Sequence, residues 1–171
     1  NRSSPPTPGL ARGQQAAVAV ELVTDDVELL DNRTVVGHDR TFGTVIASTA
    51  TPKQKGKWYY EVKIGGSSYG QIGFAVNTLV VGTGSGDGVG DDCFSWAYDG
   101  WRQKTWNRAS GDGHNDYATA LKWSAGSVVG CLLDLDEGQI SFSLNGELLG
   151  VAFTNVKSQL AAAMRDEGAV G

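Results

Sequence analysis

The residues that could do chemistry in this chain are few, and their spacing decides what they could do. There are two histidines and two cysteines in 171 residues. His38 stands in a weak early loop, and His114 stands in GDGHNDY, a solvent-type stretch. Neither has the serine, cysteine or carboxylate spacing that activates a nucleophile, so both read as surface imidazoles. Cys131 lies in an apolar run and reads as a buried small hydrophobe. Cys93 follows two aspartates, the wrong electrostatic setting for a thiolate. Two cysteines with no C-x-x-C make neither a structural zinc site nor a disulfide framework, which fits a reducing intracellular setting.

Two acidic clusters invite sharper readings. GTGSGDGVGDD (82–92) offers Asp87, Asp91 and Asp92 as oxygen ligands, but it has neither the order of an EF-hand nor its closing glutamate. The same glycines resemble no phosphate loop, because no lysine follows them and no helix begins there. Asp134, Asp136 and Glu137 could in principle form a carboxylate pair for glycoside hydrolysis. Their position between two apolar runs reads instead as a turn. No metal, no cofactor and no catalytic constellation is expected.

The elements around these residues are strands. Residues 127–153, SVVGCLLDLDEGQISFSLNGELLGVAF, read as three consecutive antiparallel strands and form the centre of a sheet. Ile140, Phe142 and Leu144 alternate with Gln139, Ser141 and Ser143, the period-2 pattern of a half-buried strand. Asn145-Gly146 then marks a two-residue hairpin turn, because both residues tolerate positive φ. Folding across it sets Phe142 opposite Leu149 and Ile140 opposite Val151, both pairs on one face. Val128–Leu135, apolar at nearly every position, suits a strand covered on both sides.

Lys57–Ile64 (KWYYEVKI) is the clearest isolated strand, with Trp58, Tyr60, Val62 and Ile64 on one face. Gly65-Gly66-Ser67-Ser68 turns the chain and Gly70–Val76 returns, which predicts a hairpin. Short strands are also expected at 16–23, 27–30, 43–48, 93–98 and 101–107, with 32–40 a loop or weak edge strand. Residues 108–120 read as a polar excursion, and 159–164 as a last strand or one helical turn. The stretch 77–90 is long and glycine-rich, the kind of loop that is usually functional or mobile.

About ten short strands with turns every 8–12 residues and no long amphipathic helix favour an all-β sandwich or barrel. Glycine, 24 of 171 residues, is about twice its average share, which suits many tight turns. The net charge of −5 argues against nucleic acid, which asks for a basic stripe. No apolar run approaches ~18 residues, so no membrane span is expected. Residues 1–15 hold three of the four prolines and read as a linker or tail, leaving 16–171 as one domain.

Five blocks carry a family resemblance: GKWYYEV (56–62), QIGFA (71–75), GVGDDCFSWAYDGWRQKTWN (88–107), WSAGSVVGCLLDLDEGQISFSLNG (123–146) and LGVAF (149–153). In content, order and spacing they resemble a SPRY domain over roughly residues 27–168. They are most similar to the SPRY modules of very large ubiquitin ligases, and more distantly to those of ryanodine receptors. The resemblance implies a bent sandwich of two antiparallel sheets whose end loops bind peptides or protein surfaces, without catalytic activity. It departs from the family at Leu160-Ala161-Ala162, where Phe-Pro-Ala is common, and in lacking the usual closing Asn-Phe-Gly strand.

The expected function is therefore non-enzymatic recognition in a larger intracellular protein, selecting a substrate or partner for a ubiquitin ligase. The alternative is a structural docking domain in a channel or cytoskeletal assembly, contacting its own parent chain. Carried over by the resemblance, the binding surface comprises Arg40, Phe42 and Thr44, then Ser68 and Tyr69, the 77–90 loop, and Arg165, Asp166 and Gly168. Trp58, Trp96, Trp106 and Trp123 are expected mostly in the core. Trp101, after the Asp99-Gly100 turn and beside Arg102, has the composition of an interaction hot spot. Its other reading is a ring folded back over the sheet. Such a surface suits a ligand with carboxylates or backbone carbonyls around an apolar anchor.

Overall fold

The structure, a computed structural model, describes residues 18–22, 24, 27–31, 34–37, 43–49, 55–66, 69–76, 88–108, 113–159 and 161. Twelve strands occur among them: β1 (Val18–Leu22), β2 (Val27–Leu29), β3 (Val35–Gly37), β4 (Val45–Thr49), β5 (Lys57–Lys63), β6 (Ile72–Ala75), β7 (Ser95–Asp99), β8 (Lys104–Trp106), β9 (His114–Asp116), β10 (Val128–Asp134), β11 (Gln139–Leu144) and β12 (Glu147–Phe153). Two antiparallel four-stranded sheets, ordered β12-β11-β10-β5 and β6-β7-β8-β9, form the body, and β1-β4 and β2-β3 make two smaller ribbons. The fold is an all-β sandwich.

Pleating explains the core. Cys131 sits opposite both Tyr60 and Phe142, so one inward row crosses three strands of the first sheet. Ile140 and Phe142 are fully buried, as their alternation with polar neighbours predicts. The second sheet contributes Trp96 and Tyr98, with Ile72 and Phe74 packed against the same cluster. The rings meet between the sheets: Tyr98 lies 5.3 Å from Phe142, and Tyr60 lies edge-on to Phe74 at 5.3 Å. Offset and edge-on contacts of this kind add to the burial of area itself. Trp123 and Val156 complete the core from outside the sheets.

The Asn145-Gly146 turn forms as expected, with Asn145 at φ 51° and Gly146 at φ 84°. A Cβ added at Gly146 would meet nothing within 4 Å. Its only obstacle is therefore the backbone conformation, which a β-branched residue adopts poorly. Gly146→Val should destabilise the fold by more than ~1 kcal/mol in chemical unfolding. Unfolding that matches the parent protein would show that the turn does not hold the hairpin register.

Two expectations are corrected. The segments 57–64 and 70–76 are not a hairpin: β5 pairs with β10, and β6 pairs with β7 in the other sheet. They meet face to face instead, through the Tyr60–Phe74 contact and a hydrogen bond from the Tyr60 hydroxyl to the Gly73 carbonyl. Beyond the turn, Ile140 faces Phe153 rather than Val151, which pairs with Ser141. Two irregularities on β12 cause this shift, the first spanning Gly150 at φ 97°. Val151 consequently turns outward and is half exposed.

Smaller differences follow. The 108–120 excursion contains β9, and 35–37 forms β3 against β2. Residues 156–159 make a helical turn that places Gln159 Oε1 2.7 Å from Trp96 Nε1. The 77–87 part of the long loop and most of 160–164 lie outside the described residues.

Candidate functional site

The turn between β7 and β8 is built around a buried charge. Asp99, the last residue of β7, has a side chain only 1% exposed. One of its carboxylate oxygens accepts the backbone N–H groups of Trp101 (2.8 Å) and Arg102 (2.9 Å). The other accepts Nε–H of Arg102 at 2.5 Å. Charge-assisted bonds are stronger than neutral ones, so the turn is fixed from inside.

Neighbouring residues tighten it further. A Cβ at Gly100 would lie 2.4 Å from the Trp123 ring, so only glycine lets the turn approach that buried indole. Gln103, at φ 56°, accepts the Tyr117 N–H at 2.8 Å, and its side-chain amide donates to the carbonyls of Ala118 and Thr119. Trp101 and Arg102 thus project from a turn fastened both to its own strand and to the 117–123 segment.

What they project is a run of rings and cations. Trp101 is half-buried against the core. Tyr69, 68% exposed, stands 5.1 Å from its ring at an interplanar angle of 53°. Lys122 Nζ sits 3.4 Å from the Trp101 ring centroid. On the other side, the Arg102 guanidinium lies 4.3 Å from the Trp106 ring centroid. Trp106 pairs across the β8–β9 ladder with His114, their rings 5.0 Å apart. In the next such pair, Lys104 Nζ lies 2.9 Å from Asp116 and 3.5 Å from Nδ1 of His114. Directly opposed residues on one sheet face interact in this way. The Lys104 hydrogen bond holds the Asp116 carboxyl below the usual carboxylate range.

Several carboxylates elsewhere fasten the fold. Asp91 accepts the Gly88 N–H at 2.7 Å, and Asp92 accepts the Phe94 N–H at 2.9 Å and the Ser95 hydroxyl at 2.6 Å. Asp134 accepts the N–H groups of Asp136 and Glu137 and pairs with Lys57 at 2.7 Å. That pairing lowers the Asp134 carboxyl from its ordinary value. Burial pushes the phenols of Tyr98 and Tyr117 and the thiol of Cys131 up to about 12, so all three stay protonated. Among the described residues no group of three or more histidine, cysteine or acidic side chains is placed to hold a metal ion.

Of the residues expected at a binding surface, the fold brings Tyr69 and Trp101 into ring contact and sets Arg102 beside them. The Trp101 ring packs on the core, the second of its two readings, and its neighbour Arg102 is exposed. Arg102 is directed inward at Nε, towards Asp99. Thr44 is buried, and its N–H donates to the Thr24 hydroxyl at 3.1 Å. Arg40, Phe42, Ser68, Arg165, Asp166 and Gly168 lie outside the described residues, as does His38.

Sequence reasoning missed Lys122, Lys104, Trp106 and His114 as neighbours of this turn. Trp106 was expected in the core and is half-buried, as is Trp58. His114 was expected as a surface group and is half-buried against Trp106. The available signal was the possibility of a strand at 114–116, which would have set His114 opposite Trp106. No local pattern points to Lys122.

Comparison with known proteins agrees with this architecture. The family model described as the SPRY domain matches residues 57–165. The E3 ubiquitin-protein ligase RKP of Arabidopsis thaliana is 41% identical over 103 residues, 60% of this chain and 7% of the ligase. The probable ATP-dependent RNA helicase ddx1 of Dictyostelium discoideum is 34% identical over 104 residues, 58% of this chain and 11% of the helicase. The ATP-dependent RNA helicase Ddx1 of Drosophila melanogaster is 30% identical over 107 residues, 62% of this chain and 13% of the helicase. The chain thus spans a small fraction of the length of each relative. The matched range runs from the first residue of β5 past the end of β12 and so takes in both four-stranded sheets, and the chain belongs to the SPRY domain family of protein-interaction modules.

Proposed function

We propose that residues 16–171 form a recognition domain without catalytic activity, which docks a peptide or protein surface at the Tyr69–Trp101 end of the sandwich. In this reading the parent is a larger intracellular protein, and the domain selects a substrate or partner for a ubiquitin ligase. The observation that carries it is the Trp101 turn: a backbone held by a buried carboxylate, presenting an indole that an exposed tyrosine faces. A surface group fixed in advance loses little freedom on binding, and Trp, Tyr and Arg dominate the energetics of interfaces. The similarity to an E3 ubiquitin-protein ligase supports the choice of parent.

A second reading, docking against other domains of the parent chain, has its own observation. Tyr59, Leu148 and Val151 are exposed on the outer face of the first sheet, away from the Trp101 turn.

Single substitutions separate the two readings. A partner captured from cell lysate with the domain should bind Tyr69→Ala or Trp101→Ala at least ~2 kcal/mol more weakly than the parent protein, each variant having been shown to fold. Parent-like binding by both variants would move the site elsewhere. Loss at Leu148→Ser instead would favour the outer face of the first sheet.

A further inference from the structure

The surroundings of Trp101 show which charge its ligand carries. Two cations near the turn have carboxylate partners: Arg102 pairs through Nε with the buried Asp99, and Lys104 on β8 pairs with Asp116. Lys122 differs. It is exposed, and its ammonium rests on the Trp101 ring, with no carboxylate partner among the described residues. A ring face attracts a cation but leaves its charge uncompensated and its outward N–H groups free to donate. Arg102 uses Nε toward Asp99, and its terminal nitrogens have no hydrogen-bond partner among the described residues. Among the described residues the acids beside the turn are committed, Asp99 to three donors and Asp116 to Lys104. Among its described residues the aromatic turn thus carries an unmatched positive charge, in a chain of net charge −5.

We propose, resting on the recognition reading above, that the Trp101 turn selects acidic peptide segments: one ligand carboxylate pairs with Lys122 on the indole, a second reaches the outer edge of Arg102, and an apolar neighbour packs on Tyr69. Lys122 is the specificity-determining residue. It occupies the ring face that a ligand lysine or arginine would otherwise take, so it repels cationic peptides as well as attracting anionic ones. Single-stranded nucleic acid also combines negative charge with stacking, but it needs a basic groove that tracks a backbone. Here two cations flank a single turn, and the rest of the chain is acidic. One or two carboxylates on a peptide suit such a surface, and a run of phosphates does not.

The test uses an array of immobilised peptides with a central Trp or Phe flanked by Asp and Glu, by Ser and Asn, or by Lys and Arg. A labelled poly-uridine strand is added as competitor. The parent domain should retain the acid-flanked set best, and retention should fall as salt rises from about 50 to about 500 mM. Lys122→Gln should weaken that set about tenfold, as expected for losing one close charge pair, and Lys122→Glu should turn the preference toward the Lys and Arg set. Both variants change an exposed side chain, and thermal melts confirm that they fold. Retention blind to flanking charge, or unchanged in Lys122→Glu, overturns the acidic-ligand proposal and leaves the recognition reading standing. So does displacement of the peptides by poly-uridine below micromolar concentration. Retention of no peptide of any charge class, or retention unaffected by Trp101→Ala, overturns the recognition reading at this turn and the proposal with it.

Discussion

Phe142→Ala is expected to lower the stability of the domain by about 3–5 kcal/mol in denaturant unfolding. Phe142 is fully buried in β11, the strand between β10 and β12, and sits opposite Cys131. Its ring touches Tyr98 at 5.3 Å and Tyr117 edge-on at 6.2 Å. Both tyrosines come from the far side of the interface, so the ring is one of the joints between the sheets. Removing it leaves a cavity that cannot collapse easily. Tyr98 is itself pinned by Trp123 at 5.2 Å, and Cys131 is fixed in the ladder between Tyr60 and Phe142. The lost transfer energy and the residual cavity then add, which places the change at the upper end for core truncations. For a domain of this size each kcal/mol moves the midpoint by roughly 2–4 °C, so the melting temperature should fall by roughly 6–20 °C. A shift of a degree or two would mean that the two sheets do not meet at this ring.

What could be read in the chain before its structure was whatever is encoded locally. The β10–β12 meander was legible because Ile140, Phe142 and Leu144 alternate with polar residues and Asn145-Gly146 favours one kind of turn. The face carrying Trp58 and Tyr60 was legible for the same reason. The errors lie where a distant partner decides. Gly65-Gly66 looks like a hairpin turn, but β5 finds its partner in β10, and the chain crosses to the other sheet instead. The shift along β12 centres on Gly150, whose carbonyl accepts the Tyr117 hydroxyl at 2.7 Å. Nothing beside Gly150 in the sequence announces a tyrosine that arrives from another segment.

The candidate site follows the same rule. Trp101 beside Arg102 was visible as a composition, and Tyr69 entered through family resemblance alone. That these two rings touch, and that Lys122 caps one of them, depends on three segments meeting at a turn. Asp99 was read as half of a turn dipeptide, and its burial could not be foreseen. An aspartate before glycine usually looks outward, whereas here its carboxylate serves two backbone donors and a guanidinium.

Asp99 therefore supplies the decisive test of how the fold makes the site. Asp99→Ala should cost on the order of 2–4 kcal/mol, because it removes the one side chain that accepts from the Trp101 and Arg102 N–H groups and from the Arg102 guanidinium, and leaves these half-buried donors without it. The loss stays below that for a wholly buried pair, since the Arg102 side chain is 37% exposed and water reaches its outer edge. Asp99→Asn keeps the shape and one acceptor oxygen for the two backbone N–H groups, so its loss should be about 1–2 kcal/mol, the value of the charge. The two variants should diverge at the surface as well. With Asn the turn keeps its path, and peptide retention should stay within a few-fold of the parent protein. With Ala the backbone of Trp101 and Arg102 is released, and retention should fall about as far as in Trp101→Ala, even at temperatures where the domain remains folded. A double-mutant cycle with Arg102→Ala then isolates the pair itself, and a coupling near zero would assign the holding of the turn to its backbone bonds alone. Parent-like stability and retention in Asp99→Ala would show that the turn stands without its buried carboxylate, and that Gly100 and Gln103, packed against the 117–123 segment, are enough to present Trp101.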